Sequence, residues 1–136
     1  MSYDPATDGW RLMRGGALPA AIGLPWAKRF GDTWHYGLLT TAEHANPQGA
    51  LHGGILMTFA DHALSLFAWE AASRAPCTTI QLNTHFLAAV EPGDFVALCG
   101  EVTRATKGLV FVRGLLSVGD RDVAAVDGIW RILRAG

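Results

Sequence analysis

Apolar and polar positions divide this chain into one helical stretch and a set of strand-like runs. From residue 55 to 72 there is no Gly or Pro, and Ala, Leu, Met and Phe dominate, which predicts a helix; Pro76 lies beyond its end. The helix is apolar almost all round, so it is expected to be wrapped by a sheet rather than laid on a surface. Four strand-like runs follow it: "CTTIQLNTHFLAAV" closed by "EPGD", "FVALCGEVTRA" closed by "TKG", "LVFVRGLLSV" closed by "GDRD", and "VAAVDGIWRIL". Their spacing suits antiparallel neighbours joined by tight turns. Ahead of the helix, "FGDTWHYGLLTTAE", 30–43, is aromatic and β-branched enough for a strand, and "HANPQGALHGG", 44–54, reads as a long loop. Residues 1–29, rich in Gly, Pro and Ala, read as a short helix or a loose lead-in to a single domain over 30–136. One helix with one strand before it and four after makes an α+β domain.

Composition adds limits. The chain has 136 residues, half of them hydrophobic, which is ample for one core. Only 17% are charged, which hints at surface buried by oligomerisation. The net charge of −1 lacks the basic bias of a nucleic-acid or anionic-membrane binder. No apolar run approaches the ~20 residues of a membrane span. The first residues lack the pattern of a secretory signal, so the expected compartment is the cytoplasm. Cys77 and Cys99 lie in apolar runs and are expected to be reduced core thiols. His35, His44 and His85 have no companions at metal-ligand spacing, so no metal is expected.

The helix interrupts its apolar character in one place. Thr58, Asp61, His62 and Ser65 fall at i, i+3, i+4 and i+7 and form a single polar stripe. Glu70 is the only other polar residue of the helix, so the stripe is thin for a solvated face and better suited to a polar cleft. A carboxylate among Leu, Met, Phe and Ala needs a partner or a function. Immediately before the helix stands "HGG", His52-Gly53-Gly54. The first turn of a helix presents unpaired N–H groups and the positive end of the dipole, and glycine there lets another molecule come close. That is a means of polarising a carbonyl oxygen. Asp61 lies two turns farther on, roughly 12 Å by helix rise. One helix therefore cannot bring Gly53 and Asp61 onto the same small group unaided: either the acid faces a different part of the substrate or a second chain completes the site.

At these residues the chain resembles the hot-dog-fold acyl-CoA thioesterases of the phenylacetate-pathway (PaaI) type. The shared pattern is N-x5-HGG-x6-AD, here Asn46, His52-Gly53-Gly54 and Ala60-Asp61. The likeness runs from about residue 20 to the end, through "LNTHFLAAVEPGD" and the closing "WRIL". It implies a curved antiparallel sheet around one long helix, paired into homodimers and often dimers of dimers. It implies hydrolysis of an acyl-CoA, with CoA as part of the substrate and no separate cofactor. It also implies a site shared between protomers, the glycine loop of one facing the helix acid of the other.

Carried over residue by residue, Asp61 matches the catalytic carboxylate, as general base or nucleophile. The Gly53 amide matches the donor to the thioester carbonyl, with Gly54 beside it. Asn46 and His52 match positions that orient the carbonyl, the leaving sulfur or the attacking water. Thr79 falls where some members carry a Ser or Thr near the acid. It shares strand parity with Gln81 and Asn83 rather than with Ile80, Leu82 and Phe86, so a bulge or twist is needed to turn it toward the helix. His62 departs from the pattern and is left between an acyl contact and a core role. Lys107 and Gly108 in the "TKG" turn, near Arg104 and Arg113, are candidates for the CoA phosphates. The apolar content suits an aromatic or medium-length acyl group. A hydratase or dehydratase of the same fold, or a silent acyl-CoA-binding module, are the alternatives; HGG preceding a helix Asp fits hydrolysis better than hydration.

Overall fold

A computed structural model describes residues 2–14 and 18–134. After a 3-10 turn at Pro5–Asp8 come β1 (Arg11–Leu12), β2 (Trp26–Phe30) and β3 (Thr33–Leu39). A second 3-10 turn, Ala42–His44, leads to the loop before α1 (Gly53–Ala71). β4 (Cys77–Phe86), β5 (Phe95–Ala105), β6 (Leu109–Val118) and β7 (Arg121–Ile132) complete the chain. All seven strands join one antiparallel sheet in the order β1-β2-β3-β5-β6-β7-β4. The sheet wraps α1, which packs against β4, β5, β6 and β7. This is the hot-dog arrangement expected from the sequence.

The core forms between the helix and the sheet. Leu56, Phe59, Ala60, Ala63, Leu64 and Ala68 give α1 its buried face. Val96 and Leu98 of β5, Val110 and Val112 of β6 and Val126 and Trp130 of β7 meet it. Small residues set how closely the layers approach. Gly100 and Gly114 are cross-strand partners, and a Cβ on either would come within 3.1 Å of a neighbouring atom and within 3.3 Å of Leu64 of the helix. A fully buried Leu of this kind is worth roughly 1.5–3 kcal/mol relative to exposure.

Several features differ from the sequence reading. The segment 1–29 contributes two strands: β1 pairs with β2, and β2 with β3, while Trp10, Ile22 and Ala27 are buried. The polar pair Lys28-Arg29 hides β2 from a pattern search, because the strand is short and buries only Ala27 on its inner side. β4 does not pair with its successor β5; it crosses to the far edge and pairs only with β7. The crossing segment 87–94 is tied down on the way: the Leu51 N–H donates to the Val90 carbonyl at 2.8 Å and the Thr40 hydroxyl to the Asp94 carbonyl at 2.7 Å. Cys99 is exposed and so is not a core thiol, while Cys77 is half-buried and packs against the core; both are free. On β5 the inward parity belongs to Val96 and Leu98, which turns Cys99 outward.

Candidate active site

The polar stripe resolves into residues that are already satisfied and residues that are not. The Thr58 hydroxyl donates back to the Gly54 carbonyl at 2.9 Å, and the Ser65 hydroxyl to the Asp61 carbonyl at 2.6 Å. Ser65 also accepts the indole N–H of the fully buried Trp130 at 2.7 Å. Both hydroxyls therefore serve the helix and the core. Asp61 is different. Its half-buried carboxylate reaches off the helix and accepts a 2.6 Å hydrogen bond from the Thr79 hydroxyl of β4. The short length is that of a charge-assisted bond.

Thr79 gains this position through a bulge. The β4–β7 register shifts between Thr79 and Gln81: Thr79 opposes Trp130 and Gln81 opposes Ile129, leaving Ile80 as the extra residue. Ile80 is 54% exposed, while Cys77, Thr79, Leu82 and Thr84 share the half-buried side. The apolar parity inferred from the sequence is thus broken at Ile80, and the turn that Thr79 needed is present. β4 runs along α1 so that Thr79 meets Asp61 and Phe86 meets Gly53.

The loop before the helix is built by its own polar groups. The Asn46 side-chain oxygen accepts from the Gln48 N–H at 3.0 Å and the Ala50 N–H at 3.1 Å, while its backbone N–H donates to the Ala50 carbonyl at 2.6 Å. That oxygen shapes the loop, so any contact with a ligand falls to the amide nitrogen. Buried His44 anchors the loop at its base. Its Nδ1 accepts the Thr41 N–H at 3.1 Å, which leaves Nε2 to donate to the Ala21 carbonyl at 2.9 Å. The His44 carbonyl accepts the His52 N–H at 3.0 Å, closing the loop. His52 is exposed, occupies the N-cap and makes no side-chain cap bond. Its carbonyl receives the Ile55 N–H at 3.1 Å, so the Gly53 and Gly54 amides precede the first bonded turn. Gly54 has open space where a side chain would go, whereas a Cβ on Gly53 would approach the Phe86 ring to 2.9 Å. Gly53 thus has a packing reason as well as a chemical one. The sequence places Phe86 on the apolar parity of β4, and nothing in it signals that the ring lies over Gly53.

His62 is half-buried, and among the described residues its ring has no hydrogen-bond partner. Burial lowers its pKa from the ordinary histidine value, and the neighbouring Asp61 charge opposes that shift. Lys107 and Gly108 lie elsewhere. They form the β5–β6 turn, where the Lys107 carbonyl accepts from Arg134 at 2.7 Å and the Gly108 carbonyl from the Ile132 N–H at 2.8 Å. Arg113 is held by Glu101. The structure brings Asp61 and Thr79 together at the middle of α1, and places Asn46, His52, Gly53 and Gly54 in the loop and first turn at the helix's N-terminal end.

The Thioesterase superfamily matches residues 48–125, more than half the chain. No curated protein matches. Among solved structures, the zebrafish thioesterase superfamily member 2 is similar with a TM-score of 0.73 at 17% identity, over 80% of this chain and 81% of that one. A Bacillus halodurans protein solved with CoA has a TM-score of 0.73 at 21% identity, over 81% and 74%. The E. coli PaaI protein of the phenylacetic acid degradation operon has a TM-score of 0.67 at 21% identity, over 75% and 73%. These likenesses establish the fold, and with the family match the conclusion follows that the chain belongs to the thioesterase superfamily, as a hot-dog-fold thioester hydrolase.

Proposed function

We propose that the protein is an acyl-CoA thioesterase that converts an aromatic or medium-chain acyl-CoA to the free acid and CoA. One observation carries the reading: in the middle of an apolar helix stands a half-buried carboxylate, Asp61, whose single protein partner among the described residues is a hydroxyl donor, Thr79. In this reading Asp61 activates water, or attacks the thioester carbon itself, and the carbonyl oxygen is polarised by the Gly53 amide with Gly54 alongside. In the general-base form, water adds to the carbonyl carbon as its proton passes to Asp61. The C–S bond then breaks, and the CoA sulfur leaves as a thiol with that proton. His52 and the Asn46 amide nitrogen orient the substrate. Lys107 and Gly108 are candidates for the cofactor portion, and water is the only co-reactant. The CoA bound to the Bacillus halodurans protein of the same fold supports this choice of substrate.

Helix geometry extends the proposal to a homodimer. Gly53 and Asp61 are about 12 Å apart along α1, so one carbonyl is served by Gly53 of one copy and Asp61 of another. β4 offers the surface for pairing. It is an edge strand with one side unpaired, and Ile80, Phe86 and Leu87 on and beside it are 54%, 52% and 56% exposed. A dimer of dimers is the further assembly this reading allows. Among the described residues no helix is long and apolar enough to cross a membrane. The compartment this reading proposes is the cytoplasm. The test is free-thiol release from a panel of benzoyl-, phenylacetyl-, hexanoyl- and dodecanoyl-CoA. Thiol release above background with at least one supports the reading; no release from any, at enzyme concentrations that bind them, defeats it.

A further inference from the structure

Asp61 and its hydroxyl donor sit on different elements, and one buried residue of a third element is tied to both. On β7 the inward, buried positions are Val126, Gly128, Trp130 and Ile132. Trp130 is fully buried and stands opposite Thr79 in the β4–β7 ladder. Its indole N–H donates to the Ser65 hydroxyl at 2.7 Å, and that hydroxyl donates to the Asp61 carbonyl at 2.6 Å. Trp130 is thus connected to Thr79 through the ladder and to the helical turn of Asp61 through Ser65. Gly128 makes the arrangement possible. A Cβ there would lie 2.7 Å from the Gln81 carbonyl oxygen and 2.7 Å from the Trp130 ring. Gln81 is on the far side of the bulge, where the register with β7 shifts. The indole and the bulged strand therefore both use the room that a side chain on Gly128 would fill. Any larger residue has to push the carbonyl back or move the ring off Ser65. Without the bulge, the alternation of β4 would put Thr79 on the face away from the helix.

We propose that Trp130, Ser65 and Gly128 are positioning residues for the hydrolysis: they hold the helix and the bulged strand in the one register that sets the Thr79 hydroxyl on the Asp61 carboxylate. The inference rests on the acyl-CoA reading above, in which Asp61 is the reacting group, and adds what aims it. The indole N–H is enclosed in the core, so leaving Ser65 would strip it of its partner, which is costly for a buried donor. The turn of α1 that carries Asp61 is thereby restrained against sliding along β4. Thr79 is the only side chain among the described residues bonded to the carboxylate itself, so this restraint fixes where the carboxylate stands.

Trp130→Phe tests it, because an aromatic ring stays in the core while the N–H is lost. With the acyl-CoA that the wild type hydrolyses best, kcat is expected to fall about tenfold, as for a reacting group moved by a fraction of an ångström. KM and the calorimetric affinity for the non-hydrolysable thioether S-phenacyl-CoA are expected to stay within about twofold, because the substrate is not touched. Ser65→Ala removes the other end of the same bond and is expected to slow turnover as much; it serves in the same cycle should Trp130→Phe fail to fold. The discriminating protein is the Trp130→Phe, Thr79→Val double variant. If the indole acts through the Thr79–Asp61 bond, the double variant is within about twofold of Thr79→Val alone, whereas independent losses multiply. A crystal structure of Trp130→Phe reads the geometry without turnover, and the Thr79 hydroxyl is expected beyond hydrogen-bond reach of Asp61. A bond kept at its wild-type length, a wild-type kcat in Trp130→Phe and Ser65→Ala despite a lowered Tm, or losses that multiply in the double variant would each overturn the inference and leave the acyl-CoA reading standing. Wild-type protein that releases no thiol from any acyl-CoA would overturn that reading, and the inference with it.

Discussion

Replacing Thr79 by Val removes the hydroxyl donor to Asp61 while nearly keeping side-chain volume. The lost contact is a 2.6 Å bond to a carboxylate oxygen. Hydrogen bonds to charged groups contribute about 1.5–3 kcal/mol. Asp61 is only half-buried, so water replaces part of this, and about 1–2 kcal/mol of stability is the expected loss. For a domain of this size that is a Tm lower by roughly 4–8 °C. The effect on turnover sets two terms against each other. The Thr79 donor occupies one oxygen of the Asp61 carboxylate, so its removal leaves that oxygen free to approach water. The same bond fixes the carboxylate's direction, and a misplaced reacting group loses up to about 10² in rate. Orientation is expected to win, because Asp61 has no second side-chain partner among the described residues to hold it. The expected kcat of Thr79→Val is about 10- to 100-fold below wild type with KM little changed, and Thr79→Ser should restore most of it. Steady-state thiol release and thermal melts on the three proteins measure both effects. A Val variant with wild-type kcat, or a Ser variant as slow as Val, would refute the positioning role.

Further outcomes follow from the same geometry. Gly53→Val is expected to abolish turnover, partly because its side chain must displace the Phe86 ring. If the amide's approach to the carbonyl matters, Phe86→Ala should not rescue it, and recovery of activity in the double variant would leave only the packing role. Stability should fall with acid through two histidines: His62 and His35 both have pKa values lowered by burial. The unfolded chain then binds protons first, so stability is full above about pH 6.5 and declines as pH drops below it. Melts from pH 7.5 to 5 should show this decline, and a His35→Gln, His62→Gln double variant with the same slope would count against it. Inactive His52→Ala and Asp61→Asn chains, denatured and refolded together, should regain roughly a quarter of wild-type activity, since random pairing gives half mixed dimers with one intact site each. Mixed dimers as inactive as their parents would show that each protomer builds its site alone.

What could be read from sequence depended on how local the cause was. β5 and β6 were legible to the residue because "EPGD" and "TKG" punctuate alternating apolar runs. α1 was legible because its signal is long. β2 was not, since two of its five residues are Lys28 and Arg29. The placement of β4 at the far edge is a matter of topology, and nothing in "CTTIQLNTHF" specifies a partner. At the candidate site, Asn46, His52, Gly53 and Asp61 stood out through spacing. The Thr79–Asp61 contact depends on a bulge at Ile80, so parity alone pointed the wrong way. Phe86 over Gly53 depends on how β4 lies along the helix, and the His44 anchor on the meeting of the loop with the segment around Ala21.

The central claim is that the Asp61 carboxylate performs the hydrolysis of an acyl-CoA. Asp61→Asn tests it most directly, because the amide oxygen still accepts from the Thr79 hydroxyl while the charge is lost. With whichever acyl-CoA the wild type hydrolyses best, kcat is expected to fall by about 10²–10⁴, while calorimetric affinity for S-phenacyl-CoA stays within a few-fold of wild type. A variant that binds the analogue normally and turns over at close to the wild-type rate would contradict the account.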